Sequence, residues 1–469
     1  MSAPARAEHP PSRCDLLIAG SRILDLAVSS GVRDGMAIAV AGPAIAAIGP
    51  QADIEAAWVP DRRLDLDGHV VAAGFVDAHV HLGGFLGAAR PYVPATGLGP
   101  FSGSAADEGI LRMVAQFCSM PVPADLVAAV VRPALAAMLR AGFTGVVDAG
   151  GPGVEGVAEA AAELGIRASI GPSLADQWHD ETTGKLSRQA DASALLCTAE
   201  QFVDAHDRLG GGRVRALVSA VEPMGCSDEL LAGIAEVTQK RQLPTHVHSH
   251  ITGDSVRAHE EAFGRSATER LDEARLLNDR CTIMHAGSLT DHDIRAFAAA
   301  GVAVNHNPTG NALYGFGIAQ GRSVPRLLDA GVPVVLGSDY TPSVANPFEL
   351  IRAALMLHRE VAASDFVVTL EQALAMATNG AAPLGRPGEL GRVAVGQLAD
   401  LVIIDTRGSH HLASDHPIPA VALHARVDDV TTVIVDGRIV IDEGRLVEHD
   451  EATMLDDARV ALRTIAEHS

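Results

Sequence analysis

The residues of this chain best suited to chemistry end four short apolar runs. In Gly74-Phe75-Val76-Asp77-Ala78-His79-Val80-His81 the two histidines stand at i and i+2. On a strand such positions share one face, about 7 Å apart, so two imidazoles there can grip one divalent cation. In Thr245-His246-Val247-His248-Ser249-His250 three histidines alternate onto one strand face and offer a third ligand. Cys281-Thr282-Ile283-Met284-His285 closes on an imidazole, and Val332-Pro333-Val334-Val335-Leu336-Gly337-Ser338-Asp339 closes on a carboxylate. Any single histidine of this kind is more often a satisfied core residue. Four runs with ligand-type residues at their carboxyl ends point together to a cation-holding centre at the mouth of a barrel, where barrel enzymes carry their sites.

Such residues need a scaffold that delivers strand ends to one rim. Between about residues 71 and 385, short apolar runs alternate with stretches of helical period, the rhythm of parallel strands and crossover helices. Eight strands are expected: Phe75–His81, Phe143–Ala149, Ile166–Pro172, Val214–Val221, Pro244–His250, Cys281–Ala286, Val302–His306 and Val332–Asp339. Helices are expected at Ala124–Ala141 and Ser227–Gln242, the second opening on a serine cap. The expected fold is α/β: a (β/α)8 TIM-like barrel with a small β-sandwich domain built from both chain ends. The sandwich takes residues 15–70 and 386–446, the latter with an Asp436-Gly437 turn between two apolar strands. Residues 1–14 form a tail and 447–469 a C-terminal helix. The Gly- and Pro-rich stretch Gly83–Gly109, carrying Phe85, Arg90, Tyr92 and Phe101, reads as an irregular lid over the barrel mouth.

Composition narrows the partners. The chain has 469 residues, 48% hydrophobic and 20% charged, which suits a globular protein with a large core. A net charge of −22 repels phosphate backbones and anionic lipid, so neither nucleic acid nor membrane is an expected partner. The first thirteen residues are polar with no apolar h-region, and no apolar run is long enough to span a bilayer, so export and insertion are not expected. Five cysteines without a C-x-x-C pair fit reduced thiols and a cytoplasmic setting.

In this order the motifs resemble the metal-dependent amidohydrolase superfamily, nearest its aminohydrolase and chlorohydrolase subgroup acting on purines and triazines. The resemblance rests on Gly74–His81, the His246/His248 strand, Ser266–Leu271, His285 with Leu289-Thr290, His306-Asn307-Pro308-Thr309-Gly310-Asn311 and Gly337-Ser338-Asp339. Downstream, Leu390-Gly391-Arg392-Val393-Ala394-Val395-Gly396-Gln397-Leu398-Ala399-Asp400 matches the return into the small β domain. It implies His79, His81, His248 and Asp339 as ligands of one divalent ion, zinc by default, with Mn, Fe or Co able to use the same donors. It further implies Asp339 and His285 as catalytic residues, a small-molecule substrate and a homo-oligomer. His246, His250, Glu222, His306, Asn311 and Tyr92 are the residues expected near substrate or behind the ligands.

Two positions depart from that subgroup. Its deaminases carry a glutamate three residues after the third metal histidine, where this chain has Ile251, and a His-[Ala/Ser]-Pro segment where this chain has Val221-Glu222-Pro223. Lys185 and Lys240, the only lysines, are not at the end of the fourth strand, which disfavours a carboxylated-lysine bridge. One metal is the simpler expectation, although His246, His250 and Glu222 leave room for an atypical second ion. The reaction best matched is hydrolysis of a C–N bond at an amide, urea or carbamate-like carbonyl. Deamination or dechlorination of an N-heterocycle, with Glu222 or a histidine supplying the lost acid, is the alternative; a non-catalytic barrel scaffold is a third reading.

Overall fold

The computed structural model describes residues 11–29, 31–89, 121–148, 150–180, 183, 185–339 and 346–468. Eight parallel strand segments run through its middle in chain order. They are Phe75–Val80, Phe143–Asp148, Arg167–Ile170 continued by Ser173–Leu174, Val214–Ala216 continued by Val218–Ala220, Thr245–Ser249, Cys281–His285, Ala303–His306 and Val334–Leu336. Each pairs in parallel with the next. Beyond the eighth strand, Asp339 makes a single parallel bridge to Val80 of the first, and its N–H donates to the His79 carbonyl at 2.8 Å. These strands are almost wholly buried runs rich in Val, Ile and Ala, as a sheet covered on both faces requires.

The crossovers are helices whose starts are written in the sequence. Ser227 caps Asp228–Arg241 by accepting from Leu230 N–H at 3.1 Å. Thr252, Ser266, Thr290 and Thr369 each close a capping box. Ala124–Arg140 buries its apolar face although Pro133 lies inside it, and the C-terminal helix Glu451–His468 packs across it, with Glu451 accepting from Arg140 at 2.9 Å.

A second unit takes strands from both ends of the chain. One sheet has four strands: Ala44–Pro50, Met36–Ala41, Ser12–Ala19 and Trp58–Asp65. The other has seven, with Leu401–Asp405 antiparallel to both His69–Ala73 and Val430–Val435. Leu16, Ile18, Ile38 and Val40 of the first sheet share an apolar cluster with Ile23, Val71, Leu401, Ile403 and Ile434 of the second.

The two units are joined where the site's first strand begins. Gly74 separates His69–Ala73 from Phe75–Val80, and a Cβ there would lie 2.1 Å from Thr144 Oγ1. Arg167, 1% exposed on the third parallel strand, donates twice to Asp400 at 2.8 Å and once to Asp436 at 3.0 Å. The stretch after the first strand is more regular than its composition suggests, since Leu82–Ala89 forms 3-10 turns. Arg90, Tyr92 and Phe101 lie outside the described residues. Among the described residues no helix is long and apolar enough to cross a membrane.

Candidate metal centre

Strand alternation turns Asp77, His79 and His81 to one face, and the end of the eighth strand is tied to them. Asp77 is fully buried and accepts from Ser338 Oγ at 2.6 Å and Ser338 N–H at 3.0 Å. That clasp places the following residue, Asp339, beside the histidines. Its carboxylate Oδ1 lies 3.5 Å from His79 Nε2 and 3.8 Å from His81 Nε2. Asp339 and His285 hold φ of 64° and 70°, left-handed values that non-glycine residues adopt at a cost. Both follow or end a strand, and the turn re-aims their side chains across the rim.

The fifth strand brings His248 into the group. Ring centroids of His79 and His248 are 4.9 Å apart, those of His79 and His81 4.8 Å, and the rings of His81 and His248 stack at 5.6 Å. His285 stands 5.5 Å from His248 and 5.9 Å from His79. Ligand-type atoms of His79, His81 and His248 lie within 4.8 Å of one another, as do those of His79, His285 and Asp339.

Burial sets the charge states. It pushes His79 down to about 4 and His246 to about 3, and holds His248 well below the ordinary imidazole range, with neighbouring imidazoles adding to the shift in each case. Burial alone would raise Asp339, but His79, His285 and His81 outweigh it and keep the carboxylate ionised below the usual range. Neutral imidazoles around an anionic carboxylate are the donor set of a divalent cation. The fit is supported by orphaned atoms: neither ring nitrogen of His79 has a hydrogen-bond partner, nor does Nδ1 of His248, although all are buried. His81 donates Nδ1–H to the Gly150 carbonyl at 3.2 Å, which leaves its Nε2 lone pair for the cluster.

The remaining expected residues divide. His246 sits deeper on the same face as His248, both its nitrogens unpartnered. Asn311 holds His285 by accepting at Oδ1 from Nδ1, 3.0 Å away. His306 closes the seventh strand, but its Nε2 meets His358 Nε2 of helix Pro347–Ala362 at 3.1 Å instead of joining that cluster.

Two expectations are corrected. His250 does not share the face of His246 and His248: the strand ends at Ser249, His250 takes φ of 55°, and its ring bonds to Ser249 Oγ at 2.8 Å and Thr268 Oγ1 at 3.2 Å. Glu222 does not face the cluster either. The register pairs Val218 with Thr245 and Ala220 with Val247, so its continuation sets Val221 beside His248 and Glu222 beside Ser249, on the opposite face. Glu222 lines a separate small cavity with Ser249, His250, Ser255 and His259. The set His246, His250 and Glu222 therefore does not converge on a second ion.

Several contributors went unassigned in the sequence. Asp77 and Ser338 form the clasp above, and Asp148, at the end of the second strand, accepts from Leu82 N–H at 2.9 Å and Gly150 N–H at 2.8 Å, fixing the carbonyl that orients His81. Asn307 Nδ2 lies 3.4 Å from His285 Nδ1. A Cβ on Gly310 would lie 2.8 Å from Asp339 Cβ, so only glycine admits the carboxylate there. The signals were present, Asp77 two residues before His79 and Ser338 adjoining Asp339, but their pairing depends on the first and eighth strands meeting.

The chain belongs to the amidohydrolase family, whose sequence profile matches residues 70–440. It is a metal-dependent hydrolase acting on carbon–nitrogen bonds. It is 30% identical over 461 residues to a 5-methylthioadenosine/S-adenosylhomocysteine deaminase of Syntrophobacter fumaroxidans, covering 97% of this chain and 99% of that protein. In structure it resembles a zinc-bound adenosine deaminase from Xanthomonas campestris, with a TM-score of 0.83, 24% identity, and 98% and 100% of the two chains covered. It also resembles an atrazine chlorohydrolase from Arthrobacter aurescens complexed with zinc, with a TM-score of 0.81, 22% identity, and 95% and 100% coverage.

Proposed function

We propose that the eight parallel strands close as a (β/α)8 barrel over residues 71–385, beside a β-sandwich made from residues 15–70 and 386–446, with the tail 1–14 and the C-terminal helix 447–469 outside both. The contact of Val80 with Asp339 and the apolar cluster shared by the two outer sheets support this division. In this reading His79, His81, His248 and Asp339 hold one divalent cation, zinc being the default for imidazole and carboxylate donors. When bound, such an ion lowers the pKa of water from about 15.7 towards 7, so that hydroxide is available at neutral pH.

The protein's own groups then handle the protons. The Asp339 carboxylate takes the proton of the attacking water at an oxygen and returns it to the departing nitrogen. His285, held at Nδ1 by Asn311 Oδ1 3.0 Å away, turns its Nε2 edge to the oxygen on which charge develops. Ile251 is buried and apolar where a ring-protonating acid would stand, and Val221 is buried as well. That apolar side chain at 251 carries the reading: the reaction needs no acid besides Asp339, as for an amide, urea or carbamate-like carbonyl of a small molecule. Four unpaired cysteines among the described residues support a reducing, cytoplasmic setting. The reading also takes the enzyme as a homo-oligomer, which sedimentation velocity tests.

Deamination of an adenosine-like nucleoside is the second reading, favoured by the 30% identity to a named deaminase over 97% of the chain. A panel of amides, ureas and 6-aminopurine nucleosides separates the two. Turnover of carbonyl substrates, with no gain in Ile251→Glu, is expected. Ammonia release from the nucleosides without amide cleavage would replace the first reading by the second.

A further inference from the structure

A second group of metal-ligating side chains lies far along the chain from the residues described above. The strands Leu401–Asp405 and Val430–Val435 are antiparallel neighbours, yet the chain between them makes a long excursion through the helical turns Pro417–Pro419 and Ala420–His424. His410 and His411 stand near its start and Asp429 at its end. Asp429 Oδ2 is 2.8 Å from His410 Nε2 and 3.2 Å from His411 Nε2, and one ligand-type atom from each of the three residues lies within 4.8 Å of the others.

The arrangement is built rather than loose. His411 is 3% exposed, and its Nδ1 has no hydrogen-bond partner. The two imidazoles lie 4.3 Å apart between centroids, and Gly408 makes room for the first, since a Cβ there would lie 2.7 Å from His410 Cε1. The same Asp429 Oδ2 accepts Arg426 N–H at 2.8 Å, which fixes the carboxylate at the end of the excursion and leaves Oδ1 as its second oxygen. Two imidazoles and one carboxylate converging at such separations match the ligand types and spacing of a first-row divalent ion with water completing the shell.

We propose that His410, His411 and Asp429 form a second divalent-cation site, of the zinc class, which staples the two ends of the excursion between neighbouring strands of the seven-stranded sheet. A cation gripped at both ends of that loop binds the folded chain and not the unfolded one, so its effect is on stability and not on turnover.

The test is equilibrium dialysis of the full-length protein against buffered Zn²⁺, with bound metal measured by mass spectrometry for wild type, His410→Ala, Asp429→Asn and His248→Ala. His410 is the most exposed of the three, so its replacement leaves the fold intact. Wild type is expected to hold one equivalent more than His410→Ala, with affinity for that equivalent falling at least about tenfold in Asp429→Asn and kcat unchanged in His410→Ala. His248→Ala is expected to keep the equivalent that His410→Ala loses, which separates this site from the proposed catalytic one. Equal stoichiometry in wild type and His410→Ala overturns the proposal, whether or not His248→Ala loses metal.

Discussion

At the scale of single residues, the centre depends on a carboxylate held in a strained backbone position by its neighbours. Asp339→Asn is expected to lower kcat by about 10³-fold while leaving circular dichroism and Tm near wild type, because the proposed proton carrier is removed and the clasp between Asp77 and Ser338 stays. Near-normal turnover would refute the assignment. Gly310→Ala tests positioning instead: the added methyl would sit 2.8 Å from Asp339 Cβ and must displace it. A loss of about 10²-fold in kcat with bound metal retained is expected, since displacements of that size near reacting groups carry such costs.

At the scale of elements, alternation made His79, His81 and His248 legible, because i and i+2 on a strand share a face whatever the tertiary context. The same rule failed at His250, where the strand had already ended and the backbone had turned left-handed. It could not place Glu222, whose face follows from the register against the next strand, a relation between segments that neither segment encodes. Burial raises Glu222 from 4.5 to about 7, and this has a signed consequence. The native state keeps the proton that the unfolded chain releases, so its stability is full below about pH 4.5 and falls as pH rises through 7. In Glu222→Gln that loss is absent, and stability relative to wild type is expected to rise by on the order of 3 kcal/mol between acid and alkaline conditions. Denaturant melts at both ends of the range check it; parallel curves for the two proteins would contradict it.

At the scale of the molecule, eight strand positions and the β texture of both chain ends were legible because burial on two faces writes near-continuous apolar runs. Which terminal strands pair was not, since strands such as His69–Ala73 and Leu401–Asp405 meet only through contacts across most of the chain. The same holds for the buried Arg167, Asp400 and Asp436 cluster that fastens the two units. Asp400→Ala leaves the guanidinium without its main partner and is expected to cost about 3–5 kcal/mol of unfolding free energy, read as a lower denaturation midpoint. The central claim is that distant strand ends grip one cation. Anomalous diffraction at the zinc edge, from crystals of the protein purified with its metal, tests it most directly. A peak bounded by His79, His81, His248 and Asp339 is the predicted result; metal bound elsewhere, with those four side chains in contact only with solvent or with one another, would contradict it.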